Sequence, residues 1–340
     1  MNADALAYQR FLGACRGFWA GPMFQALQRR AAGKEAAAIE ADPTHQMFAW
    51  FERHVQRMRY SGRWGMAPML EAEREALLAR LDREHDPDVL VLDPALASPR
   101  YWLDHDFHQH PGGLGGDISA FVYREAVGQG GVVGQPGLHD RFARIALAGR
   151  APAAILDLGC GFGRATLAFA NAVENADVTG IDLSASCLKL AAVDLPNALH
   201  GRVHYRQADA TAPKLPAGSF DVVTSTMLLH ELPEAALREV IAESARLLAP
   251  GGIAVHLDFL PPDDTLLRLL YEGHSRRNNE PFMRDLAALD LQAVHREAGF
   301  ERVEITPFAE ADCVLDGPPS RWRLPWTMIT ATKPLTGMST

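Results

Sequence analysis

Three glycines alternate behind an aspartate in the run ILDLGCGFGRATL, residues 155–167: Asp157 stands two residues ahead of Gly159, and Gly161 and Gly163 follow. Glycine accepts the left-handed backbone of a tight turn, and it lets a ligand press on the main chain where a side chain would block it. The run reads as a short apolar strand, a turn, and the start of a helix. That geometry serves a dinucleotide or an adenosyl cofactor. The dinucleotide fingerprint G-x-G-x-x-G/A fails at its third glycine, which would be Arg164 counted from Gly159 and Thr166 counted from Gly161. Asp157 can accept a hydrogen bond from an ammonium group, directly or through water, and would repel a pyrophosphate. Cys160 inside the turn reads as a small loop residue without a redox role.

Two further clusters could touch a substrate. The segment HDFHQHPGG places His105, Asp106, His108 and His110 within six residues, followed by Gly112, Gly113, Gly115 and Gly116. Histidines at that density could bind a metal, but spacings of three and two with no cysteine pair fit no standard zinc pattern. No metal is expected; the readings left open are a substrate-facing lid with glycine hinges and a plain loop. The second cluster lies in and after GIAVHLDFL, where His256, Asp258, His274, Arg277, Asn278, Asn279 and Glu280 could face a pocket. A solvated helix accounts equally well for Arg276 and Arg277.

These residues need a scaffold, and the chain changes character near residue 150. Up to there the pattern is helical and irregular. Helices are expected over 5–32, from Thr44 with Met47, Phe48, Phe51, Val55 and Met58 on one face, over 68–84, 117–127 and 138–148. One short strand is expected within 89–92. The aromatic residues Phe18, Trp19, Phe24, Phe48, Trp50 and Phe51 read as core at helical spacing. After residue 150, strands alternate with amphipathic helices: 155–159, 177–182, 203–209, 220–229 and 252–260, with a clear helix at 233–248. Another helix is expected over 284–298, and ERVEITPF and WTMITATK close as a strand pair. Strand–helix alternation means a mostly parallel sheet covered on both faces, with an antiparallel edge.

The run Asp157–Gly163 resembles the first motif of the class I S-adenosylmethionine-dependent methyltransferases, and four more segments resemble that family's motifs in order. Asp182, with Leu183 beside it in VTGIDLS, resembles the acidic residue that binds both ribose hydroxyls; a carboxylate can accept two hydroxyl donors at once. Asp209, with Ala210, resembles the adenine clamp. PAGSFDVVTSTMLLHEL resembles the fourth-strand motif, so Thr226 and Met227 would face the methionine moiety. LLAPGG resembles the turn before the fifth strand. The resemblance spans about residues 151–333. It implies a Rossmann-like, mostly parallel seven-stranded sheet with helices on both faces, and S-adenosylmethionine as cofactor with S-adenosylhomocysteine as product. It also implies methyl transfer to a small molecule, oxygen first and carbon next. Tyr123 could reach the cofactor's carboxylate, as residues ahead of the core do in many such enzymes. His230 follows the fourth strand near the expected methyl position; it reads either as a general base or as the cap of the next helix. On this reading residues 1–150 are a mainly helical region covering the substrate, and 151–340 form the cofactor-binding domain. His105, His108, His110, Asp258, His274 and Asn279 are the candidate substrate contacts.

Composition sets the outer bounds. The 340 residues are 48% hydrophobic and 22% charged, which suits a folded globular protein. Net charge is −9, almost all of it after residue 150, and no basic stripe offers itself to nucleic acid. No apolar run is long enough to span a bilayer, and no signal peptide is read at the N-terminus. Cys15, Cys160, Cys187 and Cys313 make no CxxC pair and no framework, which points to a reducing, cytoplasmic setting. A homodimer is compatible with the sequence. Two rival readings stay open: a cofactor-binding partner protein that lost catalysis, and a nicotinamide-dependent oxidoreductase, against which Asp157 and the missing third glycine speak.

Overall fold

The computed structural model describes residues 3–110, 112–128, 137–312 and 314–335. Cys313, one of the cysteines read as reduced, lies outside them. The strands are β1 (Leu90–Val91), β2 (Ala154–Leu158), β3 (Asp177–Asp182), β4 (Val203–Gln207), β5 (Phe220–Thr226), β6 (Leu248–Phe259), β7 (Arg302–Pro307) and β8 (Trp326–Thr332). They make one sheet in the order β1-β4-β3-β2-β5-β6-β8-β7. Every pairing is parallel except those of β8, which runs antiparallel to β6 and β7. All eight are strands expected from the sequence, seven of them as the sheet itself. The eighth, β1, comes from the short apolar run in the N-terminal half and extends the sheet beside β4.

Side chains of the inner strands alternate between two cores, as a pleated strand requires. Ile155 and Val222 join a core with Phe169 and Leu188, while Leu156 and Val223 join the other with Leu237 and Ile241. From β2 the chain steps to β3 on one side and later to β5 on the other. The carboxyl ends of these strands therefore open a crevice at the point where strand order reverses.

The N-terminal half does not stand apart from this sheet. Phe24, Leu27, Phe48, Leu138 and Phe142 belong to the same buried cluster as Ile155 and Phe169. Removing one such ring costs about 3–5 kcal/mol. The run expected as one helix over 5–32 is helical from Ala3 to Ala31, with a π turn at Trp19–Met23 around Pro22. Asp42 caps the next helix, Pro43–Tyr60, by accepting from the Thr44 amide at 2.9 Å. Its buried stripe is His45, Phe48, Glu52, Val55 and Arg59, rotated from the expected apolar face; Met47 is 54% exposed. The rotation has a cause: the helix turns its ionic residues inward to a cavity described below. The helix expected over 68–84 breaks into Met66–Glu71 and Arg74–Leu81, and that expected over 284–298 into Met283–Ala288 and Leu291–Glu297. Among the early aromatics, Phe24 and Phe48 are fully buried, whereas Phe18 and Trp50 are half exposed. No described helix is long and apolar enough to cross a membrane.

Candidate active site

A cavity opens at the carboxyl ends of β2–β5. The glycine turn forms its floor. Gly159 has φ +64°, and a Cβ there would come within 2.9 Å of Leu228 Cδ1. Gly163, at φ +87°, starts the Arg164–Ala172 helix; a Cβ there would run into the Tyr205 hydroxyl. Asp182 fastens the turn to β3: its carboxylate accepts from the Gly161 amide at 2.8 Å and the Ser184 amide at 2.7 Å. Burial pushes Asp182 up to about 6 despite those bonds.

Asp157 is fully buried. One of its oxygens accepts from Thr166 Oγ1 at 2.6 Å, and the other, Oδ1, has no partner. Burial pushes its carboxyl up to about 7. The Thr226 hydroxyl at the end of β5 is also buried without a partner. An unsatisfied buried oxygen costs about 1–3 kcal/mol, so both atoms mark places where a ligand donor would stabilise the protein. Tyr101, Trp102 and Leu114 roof the cavity, and the Leu114 carbonyl accepts from Ser119 at 2.7 Å and Ser184 at 3.2 Å.

A second cavity shares Tyr123, Met227 and Glu231 with the first. Met227 holds a left-handed backbone, φ 59°, at the junction. Trp19, Tyr60, Phe259 and Trp322 give the second cavity aromatic walls. His230 lines it from the turn after β5. Its Nδ1 lies 2.6 Å from Asp258 Oδ1. Asp258 accepts in addition from the Leu229 amide at 2.8 Å and the Phe259 amide at 2.7 Å. Burial alone would lower the His230 pKa; the Asp258 charge and hydrogen bond outweigh it and raise it to about 9.

An ionic chain crosses the same cavity. His108 meets Glu280 at 2.9 Å and Glu231 at 3.5 Å. Glu280 reaches His274 at 3.4 Å, His274 reaches Glu52 at 2.6 Å, and Glu52 also pairs with Arg277. Burial opposes every charge here, yet the partners win. His274 is raised to about 9, His108 stands well above its ordinary value, and Glu280 stands well below its own. His108 and Gln109 both have positive φ, 56° and 57°, a backbone cost of roughly 1–3 kcal/mol each. The His108–Glu280 bond and a bond from the Gln109 amide group to the Arg277 carbonyl hold them there. Among the described residues no His, Cys, Asp and Glu group is arranged to hold a metal ion.

Residues 155–252 match the family model described as a methyltransferase domain. The chain is 32% identical over 179 residues to a ubiquinone biosynthesis O-methyltransferase of Psychrobacter arcticus, a match covering 49% of this chain and 65% of that one. It is 33% identical to a ubiquinone/menaquinone biosynthesis C-methyltransferase of Shewanella piezotolerans, covering 41% of this chain and 57% of that one. These matches span less than two thirds of the relatives' own lengths. A phosphoethanolamine N-methyltransferase 2 structure from Haemonchus contortus shares the fold, with a TM-score of 0.50 at 19% identity, over 71% of this chain and 61% of that one. Residues 155–252 thus carry a methyltransferase domain, the class of domain that the resemblance in the sequence implies. The donor set of the first cavity fits S-adenosylmethionine. The unpartnered Asp157 oxygen suits an ammonium group, and Asp182 suits hydroxyl donors.

The fold brings nearly every expected cofactor residue to the first cavity: Asp157, Gly159, Cys160, Gly161, Asp182, Leu183, Asp209, Ala210, Thr226, Met227 and Tyr123. Gly163 is the exception, because its place is packed under Tyr205. Burial holds the Cys160 thiol well above its ordinary value, so it stays protonated. On the second cavity, His108, His230 and His274 are in the wall. Five of the residues expected to face a pocket are elsewhere. Asp258 is sealed behind His230, fully occupied by it and by backbone amides. Asn279 ends the Thr265–Asn278 helix in a left-handed conformation and donates to the Asp106 carbonyl at 2.8 Å. His105 packs edge-on against Phe107 and Phe282. His110 is buried against the Tyr60 ring, where burial pushes it down to about 4. His256, inside the sheet, bonds to Ser225 at 2.8 Å. Sequence reading passed over Glu52, Arg59, Tyr60 and Glu231, all in the wall of the second cavity.

Proposed function

We propose that the chain transfers the methyl group of S-adenosylmethionine to a hydroxyl oxygen of a small acceptor bound in the second cavity. The observation that carries this reading is the junction: the two cavities meet at Tyr123, Met227 and Glu231, with His230 on the acceptor side. The resemblance to O-methyltransferases supports oxygen, and the resemblance to a C-methyltransferase makes carbon the second reading.

In this proposal Asp182 takes both ribose hydroxyls, Asp209 takes the adenine amine, and Asp157 receives the ammonium group. Tyr123 reaches toward the cofactor's carboxylate. The cofactor supplies an electrophilic methyl group on a sulfonium. His230 removes the acceptor's proton through Nε2, while Asp258 holds Nδ1–H and stabilises the imidazolium that forms. A bond forms from acceptor oxygen to the methyl carbon, the sulfur–methyl bond breaks, and the proton ends on His230. Because Asp258 keeps the free imidazole protonated up to about 9, the base form grows as pH rises toward that value. The N-terminal helices and the segment carrying His108 wall off water, which strengthens these interactions.

The test pairs calorimetry with S-adenosylhomocysteine and a release assay over a panel of phenols and catechols. Cofactor binding with turnover of at least one hydroxylated acceptor supports the reading. Binding with turnover unchanged in His230→Ala removes His230 as the base. No binding of either adenosyl ligand sinks the proposal.

A further inference from the structure

Among the described residues, the cations on the second cavity are paired with carboxylates in all but one clear case. Glu52 is taken by His274 and Arg277, Glu280 by His108 and His274, and Glu231 faces His108. Arg323 has Glu310. Arg59 is different. It is 5% exposed and lines the cavity, its Nη2 donates to the Ala126 carbonyl, and its Nε has no hydrogen-bond partner. Among the described residues no carboxylate pairs with it. Arg16 lines the same wall, near enough that burial and the Arg59 charge together lower its pKa to about 10. A buried guanidinium without a counter-charge is costly, and a second cation beside it raises the cost.

We propose that Arg59, reinforced by Arg16, is an oxyanion subsite that binds an acidic group, carboxylate or phosphate, on the methyl acceptor. A planar guanidinium suits either group, since two parallel N–H donors match two acid oxygens. The site's position orders the acceptor. A smaller cavity lined by Gln9, Arg10, Leu12 and Gly13 shares the same two arginines, so they stand between the two cavities. Met227 and His230 lie on the cavity's other walls, and Trp19, Tyr60, Phe259 and Trp322 supply apolar ring surface. The acceptor class that fits is a hydroxylated aromatic acid or aryl phosphate, held by its anion with the hydroxyl toward His230. The inference rests on the second cavity being the acceptor site.

The test compares benzoate, phenyl phosphate and the neutral isostere benzamide by calorimetry and thermal shift, on full-length protein with S-adenosylhomocysteine. The expected result is saturable binding of one or both anions, with benzamide weaker by roughly tenfold or more, the worth of one charge-assisted contact. Arg59→Gln should erase that preference, and Arg59→Lys should keep part of it. Preference for benzoate alone or phenyl phosphate alone assigns the acid type. Equal binding of anion and amide by wild type overturns the subsite, and this comparison needs no variant to fold. Anion preference that survives in Arg59→Gln also overturns it. Failure to bind S-adenosylhomocysteine counts against the proposed function instead, and the anion comparison is then read on the protein alone.

Discussion

Nδ1 of His230 and Oδ1 of Asp258 lie 2.6 Å apart in a place that solvent does not reach. Asp258 comes from the middle of the sheet and His230 from a turn, so the strand fixes the orientation of the ring. The free nitrogen, Nε2, is left for the cavity.

Asp258→Asn should therefore do two things at once. The imidazole loses the charge that raises it to about 9, so the rising limb of the pH–rate profile should move from that range toward neutral pH. Turnover should also fall by roughly a hundredfold or more, the scale of general-base catalysis. A profile with an unmoved limb would show that His230 does not set it.

Asp157 links cofactor affinity to pH. Burial holds its carboxyl near 7 in the free protein, and a neighbouring ammonium group favours the charged form. Affinity for S-adenosylhomocysteine should rise as pH increases toward about 7 and level off above it. Calorimetry across that range should show the slope in wild type and lose it in Asp157→Asn. A slope that persists in the variant assigns the proton elsewhere.

Glu52→Gln leaves His274 and Arg277 facing each other without their carboxylate. Breaking such a buried pair costs about 3–5 kcal/mol. Denaturant unfolding should show that loss while cofactor affinity stays within a few-fold, because Glu52 does not line the first cavity. A large fall in cofactor affinity would contradict the separation of the two sites.

Global stability should peak near pH 6.5 and fall on both sides. His230 and His274, raised to about 9, and His108, raised well above its ordinary value, contribute stability that is full below the ordinary 6.5 and is lost as pH climbs through the folded values. His110, His139 and His256 are pushed down by burial to about 4, 3 and 3, so protonation favours the unfolded chain as pH drops below 6.5. Unfolding free energies at fixed salt should trace the dome. A flat response from neutral to alkaline pH would show that the ionic chain around Glu280 is not protonated as described.

The cofactor side was legible because its chemistry is local in sequence. A glycine turn and three acidic residues, each at a strand end, are readable one strand at a time. The acceptor side was not, since Glu52, His108, His230 and His274 come from four distant segments. Asp258 misled for a simple reason: a residue after a strand centre reads as pocket-facing, but β6 is buried on both faces. Glu52 and Arg59 had a usable signal. Positions 45, 48, 52, 55 and 59 repeat at three and four residues, and a reading that ranked only apolar side chains chose the wrong face.

The two-residue strand β1 and the shared buried cluster also bear on modularity. A fragment begun at residue 151 would lose Phe24, Phe48 and Phe142 from its core and uncover the edge of β4. Bare apolar surface beside an unpaired strand edge favours self-association. The N-terminal half thus cannot be swapped like an interchangeable head. New acceptor specificity must arise by point changes within walls that also hold the fold together.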